Sequence, residues 1–128
     1  MDLGEAMKKT KKRPQSLGKT WSQDQQIMFE LALDTLSSLA AILKRIGYNI
    51  DDKEKAEVYF SKALELHEER DIFDGFDDDI VKDIVETYSP LIREYYDMKQ
   101  NARELAITGK GLPDKYFTTK VDYAKYGR

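Results

Sequence analysis

Eight residues of the second half of the chain, Val81, Ile84, Tyr88, Leu91, Tyr95, Met98, Ala102 and Leu105, follow one another at alternating steps of three and four. A helix turning every 3.6 residues keeps all of them on one face, whereas a strand would scatter them over two. The stripe therefore predicts one long amphipathic helix, over about 78–108, that must bury its face against something else. Asp77 stands where a cap is needed, and Asp78 and Asp79 suit the positive end of the helix dipole. Pro90 lacks an amide and crowds the preceding turn, which predicts a kink there with Ser89 as local cap. Gly109 and Gly111 are expected to end the helix.

A second stripe precedes it. Phe29, Ala32, Leu36, Leu39, Leu43 and Ile46 keep the same rhythm behind Ser22 and Gln25, which have the spacing of a capping box. They predict a helix over about 22–46, with Gly47 taking the left-handed conformation that closes it. Asp51 and Glu54 repeat the capping signal before a helix over about 52–70, whose apolar residues are Ala56, Tyr59, Phe60, Ala63, Leu64 and Leu66. The run AEVYFSKALEL within it resembles the second helix of a tetratricopeptide repeat, with Ala56, Phe60 and Ala63 at that family's small-large-small positions. The pattern of its partner helix is missing upstream and no second copy follows, whereas such arrays need about three repeats to bury a core.

The expected fold class is all-α: a three-helix amphipathic bundle over residues 21–108, completed by dimerisation or by a partner surface. Extended basic tails flank it at residues 1–20 and 109–128. The charge is divided accordingly. Residues 1–20 hold six Lys and Arg against two acids, residues 109–128 hold five against two, and the stretch between them carries ten against twenty. An acidic body with two basic ends reports on partners more than on fold.

Several chemistries fail on their own requirements. The chain has no cysteine, so a disulfide framework and thiolate metal sites are excluded, and a reducing, cytoplasmic setting or the interior of a viral particle is expected. The basic start has no apolar stretch behind it and no run of membrane-spanning length is expected, so neither a secretory signal nor a membrane partner is predicted. Aligning Gly75 with the glycine of a calcium loop places Arg70 and Val81 where carboxylates are required. Gly18, Lys19 and Thr20 end like a phosphate-binding loop, but Arg13 occupies the first glycine position. His67 is the sole histidine, and Asp71 stands where a helical zinc motif needs its second one. No catalytic residue, cofactor site or metal site is nominated, and no enzymatic activity is expected.

What remains is binding. Lys8, Lys9, Lys11, Lys12, Arg13 and Lys19 form a basic arm. In the C-terminal segment Lys115, Lys120, Lys125 and Arg128 alternate with Tyr116, Phe117, Tyr123 and Tyr126, a mixture suited to docking on a protein neighbour. The expected role is a non-catalytic structural or adaptor subunit of a larger assembly, dimeric or higher. The alternative is a nucleic-acid-binding accessory protein, in which the cations follow phosphates and the rings stack on bases.

Overall fold

The computed structural model describes residues 22–99, 101–107 and 111–128. It is all-α, with no strand among the described residues. Among the described residues five α-helices follow in order: α1 (Gln23–Tyr48), α2 (Lys53–Glu69), α3 (Asp78–Asp97), α4 (Ala102–Ile107) and α5 (Lys115–Thr118), then a 3₁₀ turn at Tyr123–Tyr126. Helix α1 is central, with α2, α3 and α4 each packing against it. Its stripe is realised without exception: Phe29, Ala32, Leu36, Leu39, Leu43 and Ile46 are all buried. Ala40 and Ile42 are buried beside them, which widens the covered face of α1. By length and composition α1 is apolar enough to cross a membrane, which corrects the expectation that no such run exists. Part of that apolarity is buried against the other helices, while Ile27 and Leu31 remain exposed.

The helix starts follow local chemistry closely. Ser22 Oγ accepts from the Gln25 amide while Gln25 Oε1 accepts from the Ser22 amide, both at 3.0 Å, the reciprocal box that frees neither donor. Asp52 rather than Asp51 caps α2, its Oδ1 accepting from the amides of Glu54 and Lys55. Asp77 stands at the N-cap of α3 without capping it, because its carboxylate accepts instead from the Asp74 amide and from Arg128. Asp74 Oδ1 in turn accepts from the Phe76 amide. The acidic loop before α3 is thus folded by its own carboxylates.

Gly47 does not end α1 in the left-handed region. The helix runs on through Tyr48, and Asn49 finishes it in right-handed geometry, donating from Nδ2 to the Arg45 carbonyl at 2.8 Å. Glycine is needed there for close approach instead. A Cβ on Gly47 would stand 2.9 Å from the Phe60 ring and 3.2 Å from Tyr59 Cβ. Of the repeat-like residues on α2, Ala56 and Ala63 are buried and Phe60 half-buried, its ring lying against that of Tyr48.

Two larger expectations are corrected. The long third helix passes through Pro90 without interruption and breaks later, after Asp97. Lys99 adopts a positive φ of 56°, unusual for any residue but glycine, and Asn101 starts the chain afresh as α4. Residues 111–128 do not extend away from the helices. They return along α2 and α3 and bury Leu112, Tyr116, Val121 and Tyr123 in the common core.

Candidate functional site: the seat of the C-terminal segment

The turn that launches the return is specified by one glycine. Gly111 has φ of 57°, where a side chain is strained, and a Cβ there would meet the Tyr59 hydroxyl at 2.5 Å. The Tyr59 hydroxyl accepts instead from the Leu112 amide at 2.9 Å, tying the start of the segment to α2. From there the chain crosses to α3. Tyr116 is wholly buried and donates its hydroxyl to the Leu91 carbonyl at 2.9 Å. Burial, followed by the nearby Glu94 charge, pushes its phenol up to about 12. Phe117 sets its ring edge-on to Tyr59, with centroids 4.9 Å apart.

The deepest part of the seat is a carboxylate held by phenols. Glu69, at the end of α2, is only 2% exposed. Its Oε1 accepts from Tyr88 of α3 at 2.8 Å and from Tyr123 of the C-terminal segment at 2.6 Å. The Tyr88 hydroxyl also accepts from the Val121 amide at 3.2 Å, so one small network joins α2, α3 and the returning chain. Burial raises the Glu69 carboxyl above its ordinary value, and the phenol donors and the Lys62 charge bring it only part of the way back. Its Oε2 is buried with no partner among the described residues. Both tyrosines are raised as well, first by burial and then by their bond to this carboxylate.

A row of cations runs along the outside. Lys115 Nζ lies 2.6 Å from Glu94, Lys120 Nζ 3.2 Å from Glu65 and Lys125 Nζ 3.3 Å from Asp83, while Arg128 pairs with Asp77. The five-residue steps of the sequence therefore become successive ion pairs with α2 and α3. Buried Lys62 adds a bond from inside, donating to the Thr119 carbonyl at 3.2 Å while standing 3.5 Å from Glu65. Tyr126 donates to Asp83 Oδ2 at 2.7 Å. Partial burial alone would raise the Asp83 carboxyl, but the bonds from Tyr126, Thr87 and Lys125 outweigh it and hold the group below its ordinary value.

Of the residues singled out in the sequence, Lys115, Tyr116, Phe117, Lys120, Tyr123, Lys125, Tyr126 and Arg128 are thus brought together, and every one of them engages the chain's own helices. Lys8, Lys9, Lys11, Lys12, Arg13 and Lys19 lie outside the described residues. Lys62, Glu65 and Glu69, which meet the C-terminal segment, were not singled out in the sequence, and burial of charged residues such as Lys62 and Glu69 is rare. A signal was present nonetheless. Tyr59, Lys62, Ala63, Leu66 and Glu69 share one face of α2 at helical spacing.

His67 sits apart from this seat, on the α1 side of α2, with Lys44 Nζ donating to its Nε2 at 3.0 Å. Burial and then the charges of Lys44 and Arg70 lower its imidazole, which favours the neutral ring that accepts this bond. Among the described residues no group of three or more histidine and carboxylate side chains is placed to hold a metal ion. A cavity of about 500 Å³ between the start of α2 and α4 is lined by Asp51, Asp52, Lys55, Tyr59 and Asp114, with no pairing of nucleophile and base among them. Comparison with family models, with curated proteins and with solved structures finds no match to this chain.

Proposed function

We infer that the protein is a non-catalytic structural or adaptor subunit of a larger assembly. In this reading its three principal helices form a bundle whose acidic surface receives basic segments. Its own basic arm, Lys8, Lys9, Lys11, Lys12, Arg13 and Lys19, grips the acidic surface of a neighbour in the same manner. One observation carries the reading: the row of ion pairs from Lys115 to Glu94, Lys120 to Glu65 and Lys125 to Asp83. Helices that take a basic, tyrosine-bearing segment along their length within one chain have the chemistry to take one between chains. Of the rings that would stack on nucleic-acid bases, Tyr116 and Tyr123 are buried and Phe117 and Tyr126 half-buried.

The test compares the full chain with a variant in which Lys8, Lys9, Lys11, Lys12 and Arg13 are replaced by serine. Binding to single-stranded DNA, duplex DNA and RNA is followed by fluorescence anisotropy at about 50 and 200 mM salt, beside capture of protein neighbours from the native extract. The adaptor reading expects protein capture that the variant loses, with weak nucleic-acid binding at both salts. An affinity that falls roughly a thousandfold between those salts, and that the substitutions abolish, would establish the nucleic-acid reading in its place.

A further inference from the structure

Glu69 joins three parts of the chain through one oxygen. At the end of α2, its Oε1 accepts from Tyr88 of α3 and from Tyr123 of the C-terminal segment. Two phenol donors occupy both lone pairs of that oxygen. Oε2 is buried as well, with no hydrogen-bond partner among the described residues. The asymmetry bears on the charge of the group. An ionised carboxylate shares its charge between two oxygens, so half of it would rest on a buried oxygen without a donor. A neutral carboxyl puts its carbonyl where the phenols converge and its hydroxyl at Oε2, which leaves an uncharged group unsatisfied in place of a charge. In a buried site the neutral form costs less. The groups around it divide. On α2, Lys62 favours the ionised form and Glu65 opposes it. Lys62 is shared, however, standing 3.5 Å from Glu65 and donating to the Thr119 carbonyl, while Glu65 also holds Lys120. Burial raises the phenols of Tyr88 and Tyr123, and the charge of Asp83 on α3 raises Tyr123 further, so both keep the protons they donate.

We propose that Glu69 is a proton-operated latch: its neutral carboxyl holds the stretch from Val121 to Tyr126 on α2 and α3, and loss of the proton loosens that stretch while the helices stay folded. Two bonds of the network end on this stretch, one from Tyr123 to Glu69 and one from the Val121 amide to Tyr88. Lifting it gives the charged carboxylate access to water. The packing of α1 is untouched, because its buried Leu36, Leu39, Ile42, Leu43 and Ile46 do not titrate. The direction follows from linkage. Burial sets the Glu69 carboxyl above its ordinary 4.5, so the seat is tightest below that value. Its hold then weakens by up to about tenfold per pH unit until the raised value is passed. The latch concerns the seat alone and does not depend on the assembly reading above.

The test uses the full chain. The Glu69 carboxyl carbon is followed by ¹³C NMR from about pH 4 to 8, and amide exchange of Val121 is measured over the same range relative to an unstructured peptide at each pH. A Glu69 midpoint above 4.5 is expected. Protection of Val121 is expected to fall by up to about tenfold per unit until that midpoint, while the amides of α1 keep theirs. Glu69→Gln, neutral at every pH, is expected to hold Val121 protection level across the range. A Glu69 midpoint at or below 4.5 would overturn the latch, and so would level protection of Val121 in the unaltered chain. Both results are read without the variant, so they stand even where E69Q does not seat its segment. A fall that persists unchanged in E69Q would belong to another group and would equally overturn the latch.

Discussion

Beneath α1, Leu36, Leu39, Ile42, Leu43 and Ile46 are wholly buried among aliphatic and aromatic neighbours. Beneath the C-terminal segment, Tyr116, Val121 and Tyr123 are buried almost as deeply, yet what they meet is a carbonyl, a phenol and a carboxylate. The first contact is non-directional, and its free energy grows with apolar area removed from water, about 25 cal/mol per Å². The second depends on a few hydrogen bonds whose net worth is about 1 kcal/mol each, and on half-exposed ion pairs worth about 0–1 kcal/mol. The helices are thus held by surface area, and the returning segment by addressed bonds on top of its tyrosine rings. A segment held in the second way is specific in where it sits and is released at smaller cost.

The difference can be broken first at its stronger side. Leu43→Ala leaves a cavity under α1 and is expected to lower global stability by about 2–5 kcal/mol, read from denaturant midpoints by far-ultraviolet circular dichroism. Gly111→Ala forces a Cβ into the left-handed region and onto the Tyr59 hydroxyl. It is expected to cost about 1–3 kcal/mol, with the loss seen as increased proteolysis of residues 112–128 while helix content is retained. Tyr123→Phe removes one donor from Glu69 and keeps the ring. About 1–2 kcal/mol is expected, again confined to the segment, measured by amide exchange.

The smallest effect is a matter of pH and separates the two carboxylates of the seat. Glu69 has its folded pKa above the ordinary 4.5, so its contribution is complete below that value and is lost as pH rises through the raised one. Asp83 has its folded pKa below the ordinary 3.8, so its contribution is present above that value and is lost as pH falls through the lowered one. Thermal midpoints across the pH range are expected to flatten on the neutral side in Glu69→Gln and on the acid side in Asp83→Asn. Identical pH profiles in the two variants would remove the distinction.

How much of this could be read from the residues follows the same division. The stripes of α1 and α3 declared themselves because apolar periodicity is a property of one helix, and Ser22 with Gln25 because a capping box is local. Gly47 was legible as a constraint but not as to its kind, since the Phe60 ring that forbids a Cβ there comes from another helix. Asp77 misled for a similar reason: its carboxylate is claimed by Asp74 and by Arg128, fifty-one residues away. The break at Lys99 runs against local preference and is set by where the chain must go next. Even the C-terminal lysines, whose regular spacing stood out, gave no sign of their partners, because a row of cations fits any acidic surface.

The central claim is that residues 112–128 are seated on α2 and α3 through buried phenols, and amide hydrogen exchange of the full chain tests it most directly. The amides of Leu112 and Val121 donate to the hydroxyls of Tyr59 and Tyr88 and belong to no helix, so only the seat can protect them. Exchange at least about a hundredfold slower than in an unstructured peptide is predicted for both, falling toward peptide rates for Leu112 in G111A. Exchange of both at unstructured-peptide rates in the unaltered chain, while α1 remains protected, would contradict the account.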